Sequence, residues 1–437
     1  MKILPLLFLA STAHAGGIYW TNRAAARIER SLYDGTGRTT VLASAGTNMR
    51  GIALDLTNNR LYCADNGADV LYRINLDGTG RANLLTTGPS SFPADVEINL
   101  AGGHLYYCDQ QKAHIRRINL DGSGTPVTII TDTTYTPYYL DLDLVNGKIY
   151  WGDFQGSPTS SGNVFRMNLD GTGRETVVSG NLQSRGVELD LTGGMLYWVN
   201  RNGGKIMRCP LIALPVNAST SPAVQTIYAG LDTPHGVTLD VKAGKVYWVD
   251  TGSNGYPNTT GDMAVSRGNM DGSTPQEILV NLGTDPWDIE LDPRVASYAE
   301  WVARYFVRNP GATSLASADP DNDGILNIVE CAFGLHPLRS DVSGLPVVIA
   351  LNEGGETYPA IRFTRRTGVA RLTVLPQHSS DMQFWWDETS PTGGIHRLTV
   401  VSAIPQSENM EIVTARSIWS LRQMPRQFLR VRAVDGN

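Results

Sequence analysis

The chain has 437 residues, a formal net charge of −6, 45 glycines and four cysteines. Its length predicts two or three domains, and its acidic balance excludes a nucleic-acid binder working through a basic surface. Cys63, Cys108, Cys209 and Cys331 have no CxxC spacing and no neighbouring histidine cluster, which argues against a zinc site.

Residues 1–15 read as a secretory signal peptide. Lys2 supplies the positive start, residues 3–10 the apolar core, and Ala13-His14-Ala15 the small-residue cleavage site. No later run approaches the ~20 apolar residues of a membrane span, so no transmembrane segment is expected. The predicted location is secreted: extracellular, periplasmic or cell-surface associated. Export would permit disulfides, whose pairing the spacing leaves open.

From residue 16 a tetrad recurs: Tyr19-Trp20-Thr21-Asn22, Tyr62-Cys63-Ala64-Asp65, Tyr106-Tyr107-Cys108-Asp109, Tyr150-Trp151-Gly152-Asp153, Tyr197-Trp198-Val199-Asn200 and Tyr247-Trp248-Val249-Asp250. The copies stand 43, 44, 44, 47 and 50 residues apart, a period that signals a propeller or solenoid. An apolar run ending in Asp or Asn precedes each later tetrad, as in Gly51-Ile52-Ala53-Leu54-Asp55. A turn such as Asn75-Leu76-Asp77-Gly78-Thr79-Gly80 follows most copies. Alternation and Asp-Gly punctuation give four short strands per repeat, hence a six-bladed β-propeller over residues 16–293. The segment opens on a second strand and closes on a first strand, Asp288-Ile289-Glu290-Leu291-Asp292. The two ends would therefore complete one blade.

These tetrads, strands and LDG turns resemble the class B (YWTD) repeats of the low-density-lipoprotein-receptor family, over about residues 17–293. The resemblance implies a six-bladed propeller engaged in extracellular recognition. The fifth repeat departs from the pattern: it lacks the LDG turn and carries residues 211–224 instead.

Residues 295–308 space Val295, Tyr298, Val302 and Phe306 at helical intervals, ending at Asn309-Pro310-Gly311. Next comes Asp319-Pro320-Asp321-Asn322-Asp323-Gly324-Ile325-Leu326-Asn327-Ile328-Val329-Glu330, which fits the EF-hand-like pattern D-x-D-x-D-G-x5-E. Ca²⁺ takes six to eight oxygens, so Asp319, Asp321, Asp323, the Ile325 carbonyl, Asn327 (directly or through water) and a bidentate Glu330 are the expected ligands. The loop resembles those of dockerins and thrombospondin type 3 repeats, where calcium is structural. Residues 294–341 are thus predicted as a helix and calcium-loop linker that stiffens the junction. Residues 342–437 are predicted as a β-sandwich, with strands at 346–351, 360–364, 372–375, 398–401 and 428–434. The tail resembles C-terminal modules of secreted bacterial proteins. The whole reads as a mainly β chain.

Two sets of propeller residues are candidates for ligand contact. The residue before each first strand varies, with Arg50, Tyr138, Arg185, His235 and Trp287 among the six. Arg, Tyr and Trp are enriched at binding hot spots. The loops after the tetrads, such as 154–161 and 251–260, lie toward the same face. A second set, Glu97, Asp141, Glu188 and Glu290, takes equivalent inner positions alongside Ala53 and Thr238. Carboxylates converging on an axis could hold a cation, receive a basic group, perform acid–base work or pair with Arg50 and Arg185. No nucleophile constellation is evident, since His104, His114 and His235 fall in three repeats. The favoured reading is a non-enzymatic binding protein for an extracellular protein or glycan. The alternatives are a metal-dependent hydrolase or lyase using the axial carboxylates, and a structural surface protein.

Overall fold

The computed structural model describes residues 16–131, 136–154, 161–252, 263–274, 276–282, 284–308, 310–387 and 397–435. Residues 1–15, read as a signal peptide from sequence, most of the 154–161 and 251–260 loops, and Asn309 lie outside the described residues. Two compact units separate, Gly17–Asp292 and Pro293–Asn437.

Gly17–Asp292 forms six antiparallel sheets of four strands each, one of which gains a short fifth strand. The innermost strands are Met49–Asp55, Pro93–Asn99, Thr136–Asp143, Ser184–Asp190, Pro234–Asp240 and Pro286–Asp292. Each neighbours the next, and Pro286–Asp292 neighbours Met49–Asp55, so they make a closed cycle. The cycle closes by pairing the last strand with the first: Ile18 faces Leu291 and Tyr19 faces Glu290. Apolar clusters lie between adjacent sheets; one joins Ile18, Trp20, Tyr247, Val249, Val265 and Ile289.

The repeat markers have local causes. The acid ending a tetrad holds the chain that enters the first strand: Asp65 accepts from the Thr47 and Asn48 amides, and Asp250 from those of Asp232 and Thr233. Otherwise those amides would be buried without partners. The acid ending a first strand caps its turn, as Asp55 does for Asn58 N and Asp143 for Asn146 N, both at 2.9 Å. In the LDG turns Asp77 and Asp170 accept from Thr79 and Thr172. The following glycine, at positive φ, lies against a carbonyl of the preceding sheet's outer strand: Gly78 against Val41, Gly171 against Ile129 and Gly272 against Ile227. Where the fifth repeat lacks this turn, the inserted segment supplies a strand, Val216–Asn217. It pairs in parallel with Val178 and Ser179 of the fourth sheet and covers an otherwise exposed edge.

In the other unit, α1 (Tyr298–Tyr305) begins later than the periodicity predicts, because Ser297 caps it and Glu300 accepts the Ala296 amide in return. Its buried face carries Trp301, Ala303, Arg304 and Tyr305 rather than Val302; Val295 is buried ahead of the helix and Phe306 at its C-cap. Arg304 is fully buried and doubly bonded to Glu408, at 2.9 and 3.2 Å. The second helix, α2 (Asn327–Phe333), contributes Ala332 and Phe333 to a core with Leu335, Ile361, Phe363, Val374, Val413 and Ala415. The 294–341 segment is grouped with the strands that follow it in the Pro293–Asn437 unit. Two antiparallel sheets complete the unit: one orders Val347–Glu353, Glu356–Arg366, Met410–Ser417 and Leu398–Pro405, the other Trp386–Asp387, Leu372–Ser379 and Phe428–Asp435. All four cysteines are buried free thiols.

The turn geometry separates two turn glycines that share a positive φ. Gly171 and Gly194 both have positive φ, but a Cβ at Gly171 would overlap the Ile129 carbonyl oxygen, whereas at Gly194 it would meet nothing within 4 Å. Gly194→Ala should cost about 1 kcal/mol and Gly171→Ala about 3 kcal/mol, read by denaturant titration of the two variants side by side.

Candidate functional site

The closed cycle brings the inner strands together at two depths. At the deeper level Glu97, Asp141, Glu188 and Glu290 are half-buried around the axis, with Asp95 and Asp288 fully buried beside them. Sequence comparison had missed the last two, although they share a repeat position with Gly51, Tyr139, Gly186 and Gly236. A Cβ at Gly51 or Gly236 would strike Asp95 or Asp288, so glycine there makes room for the neighbouring acid.

Several of these carboxylates bind the edge amides of the adjacent inner strand. Asp288 accepts from Ile52 N at 2.8 Å, Asp95 from Leu140 N at 2.8 Å and Asp141 from Leu189 N at 2.7 Å. Glu188 is bonded to the Leu239 backbone. Burial raises every one of the six above the ordinary carboxylate range, Asp141 to about 6 and Asp288 to about 7. Glu97 is raised further by Glu290 and Asp141, and Asp95 by Asp288. Among the described residues, the axial oxygens do not gather as a metal centre would. The three-acid group whose ligand atoms lie within 4.8 Å of one another is instead Asp319, Asp321 and Asp323.

The second level is one mouth of the axis. Arg50, Tyr138, Arg185, His235 and Trp287 stand inside the inner strands, not ahead of them, because each strand starts two or three residues earlier than predicted. The structure brings all five together and buries them, none more than 8% exposed. Arg50 donates to the Tyr138 hydroxyl at 2.5 Å and lies 3.9 Å over the Trp287 ring. Arg185 lies 3.8 Å over Tyr138, and His235 packs 4.0 Å from Trp287. The Tyr139 hydroxyl closes the cluster on the Trp287 carbonyl at 2.7 Å.

Two further arginines were not foreseen. Arg23 lies 4.4 Å from the Trp287 ring centre and is ion-paired with Asp285 through Nε at 2.6 Å. Arg201 Nε donates to His235 Nε2 at 2.9 Å. Both directly follow a tetrad, and that shared repeat position was the available signal. Burial and the four guanidinium groups hold His235 well below its usual range, so it is neutral. Burial lowers Arg185 to about 10.

In the C-terminal unit the acidic loop leads into α2. Gly324 takes φ +89° and donates to Asp319 at 3.0 Å, and Ile325 N donates to Asp323 at 2.8 Å. Asp319 Oδ1, Asp321 Oδ2, Asp323 Oδ2, Asn327 Oδ1 and both Glu330 oxygens are shut off from solvent without a hydrogen-bond donor. Asn327 turns its Nδ2 away to the Thr313 and Leu315 carbonyls. Burial and the three aspartates push Glu330 up to about 8. An all-oxygen donor set with orphaned lone pairs fits a hard divalent cation.

No protein-family model and no curated protein matches the chain. Among solved structures, a nidogen/laminin complex aligns at 18% identity and TM-score 0.53 over 63% of this chain and 98% of that one. A Xanthomonas campestris gluconolactonase aligns at 16% identity and TM-score 0.44, over 62% and 87%. The calcium-binding protein regucalcin of Agrobacterium tumefaciens aligns at 12% and 0.41, over 59% and 77%. The first likeness supports a β-propeller fold; at their scores the other two carry no argument. Among the described residues no helix is long and apolar enough to cross a membrane.

The axial acids set a pH dependence. Their folded pKa values exceed the ordinary ~4, so the folded state holds more protons than the unfolded one between about pH 4 and 7, and stability falls as pH rises. The thermal midpoint of the Gly17–Asp292 transition should drop from pH 5 to pH 8. Glu97→Gln with Glu290→Gln should flatten that slope and exceed the parent at pH 8; an unchanged slope would mean the acids are not buried as charges.

Proposed function

We propose that the chain is an exported recognition protein built on a six-bladed YWTD-type propeller. One mouth of the axis meets an extracellular protein or glycan, and the dockerin-like loop of the C-terminal unit holds a structural Ca²⁺. The observation that carries the recognition reading is the convergence of Arg50, Tyr138, Arg185, His235 and Trp287, drawn from five different sheets, into one cluster at one end of the axis. Scaffold needs do not call for four arginines there, whereas the axial carboxylates serve the scaffold by holding backbone amides. The nidogen/laminin likeness, from a complex between proteins, agrees with this reading.

For calcium, Asp319, Asp321, Asp323, Asn327 and Glu330 would hold the ion by side-chain oxygens and Ile325 by its carbonyl. The ion would neutralise the acids that now repel one another and fix the entry to α2.

The hydrolase reading rests on the axial acids and is separable by one titration. Calorimetry with Ca²⁺, Zn²⁺ and Mn²⁺ on the full chain should show one Ca²⁺ site, abolished by Glu330→Gln and unaffected by Glu97→Gln or Glu188→Gln. At calcium a hundredfold above Kd the C-terminal transition should gain about 2.7 kcal/mol. A metal site lost in Glu97→Gln would favour the hydrolase.

A further inference from the structure

In all six sheets of the Gly17–Asp292 unit the tetrad tyrosine faces an arginine on the next strand: Arg30, Arg73, Arg117, Arg166, Arg208 and Arg267. In the fourth and sixth sheets a cross-strand glutamate engages it. Arg166 Nε donates to Glu175 and Arg267 Nε to Glu277, both at 2.8 Å. In the fifth sheet Gln225 takes the same place, 2.8 Å from Arg208 Nε. Arg73, Arg208 and Arg267 also donate to a turn carbonyl of the next sheet in the cycle, that of Leu120, Met270 and Tyr33. The third sheet has neither arrangement. Val127, 48% exposed, stands opposite Arg117 where the fourth to sixth sheets have glutamate or glutamine. Among the described residues Arg117 makes no hydrogen bond or ion pair, and it lines a cavity of about 430 Å³.

The cavity lies at the Asn99 end of the third sheet, away from the mouth of the axis. Val127, Ile129 and Leu169 supply apolar walls, and the His104 and Tyr106 rings meet edge to face with centres 6.4 Å apart. Burial and the Arg117 charge lower the His104 pKa, so the imidazole is neutral and Arg117 is the cation of the site. We infer that this cavity binds a small monocarboxylic acid with an apolar body. The carboxylate takes on Arg117 the place that the Glu175 and Glu277 side chains take in their own sheets, and the body covers Val127, Ile129 and Leu169. Guanidinium matches carboxylate in shape and charge. An apolar cavity of this size with a few polar groups is the usual form of a small-molecule site. Asp170, kept ionised by the Thr172 hydroxyl and amide, lines the same cavity. Its charge opposes a second negative group, which disfavours phosphate and dicarboxylates. The inference does not rest on the recognition reading, since no residue of the mouth takes part.

The test uses the full mature chain and saturation-transfer NMR on millimolar phenylacetate and hexanoate, with phenylacetamide as the uncharged comparison. At least one acid should bind, and phenylacetamide should bind at least about tenfold more weakly than phenylacetate if the latter does. Arg117→Gln should weaken acid binding by at least about tenfold. Val127→Glu supplies from within the carboxylate that the fourth and sixth sheets already carry. It should abolish binding while circular dichroism and the thermal midpoint stay at or above the parent's, so it decides the matter even where Arg117→Gln folds poorly. Arg73→Gln, at the same position of the second sheet, should leave binding unchanged. No transfer from either acid, or transfer undiminished in Val127→Glu, overturns the proposal. Equal binding of phenylacetate and phenylacetamide overturns the carboxylate assignment, and an equal loss in Arg73→Gln overturns the placement in the third sheet.

Discussion

The antiparallel pairing of Pro286–Asp292 with Gly17–Asn22 is the contact on which the Gly17–Asp292 unit depends. Without it the first sheet would lack its inner strand and the cycle of inner strands would open. Thr21 adds a second tie: its hydroxyl donates to the Arg50 carbonyl at 2.7 Å and accepts from Asp288 N at 3.1 Å. That one side chain connects the closing strand to the inner strand of the next sheet. Radial packing then removes sheet edges from solvent, as propellers do. Closure also dictates the chemistry, because six strands meeting at one axis force equivalent side chains into contact.

At the deeper level the forced neighbours are acids, and at the mouth they are arginines and aromatic rings. Each set is costly to bury alone. The acids are relieved in two ways: by taking protons, which their raised pKa values express, and by accepting amides that the inner-strand edges would otherwise leave unsatisfied. The arginines have no equivalent of the first route at neutral pH, since even Arg185 is lowered only to about 10. Arg23, Arg50 and Arg185 lie over ring faces instead, and Arg201 is held by hydrogen bonds to His235, Gln183 and Asn202. The two levels do not cancel each other: the arginines are not among the leading influences on Glu97, Glu188 or Glu290. The acids are thus accounted for within the fold.

Much of the fold was legible because the repeat repeats its reasons. A tetrad acid that always caps the same entry loop, and an Asp-Gly turn that always meets the same carbonyl, leave a periodic trace in sequence. The missing turn of the fifth repeat was visible too, but its replacement by Val216–Asn217 in a neighbouring sheet was not, since a two-residue strand has no pattern of its own. The candidate site was half legible. Position in the repeat identified Arg50, Tyr138, Arg185, His235 and Trp287. Burial did not follow from sequence, because polar and aromatic residues at a strand start read as surface until the axis is known to close over them. Arg23 and Arg201 escaped because their loops were judged by diversity instead of by charge. In the C-terminal unit the strand Met410–Ser417 went unread, though it lies between two others, since its run Met-Glu-Ile-Val-Thr-Ala-Arg-Ser alternates poorly.

The acidic loop shows the same logic of satisfaction from the opposite side. α2 has seven residues, too few to be stable by helix propensity alone. Its far end is anchored by Phe333, with Gly334 in the left-handed conformation as C-cap and Leu335 buried just beyond. Its near end begins at Asn327, whose Nδ2 is committed to two carbonyls while its Oδ1 is buried without a donor. Glu330, one turn later, is nine-tenths enclosed and more, with neither oxygen accepting a hydrogen bond. The entry is tied by hydrogen bonds from Asn327 and Ile328 to the chain before it, yet its acidic oxygens stay without donors, and a cation is the partner that would satisfy them.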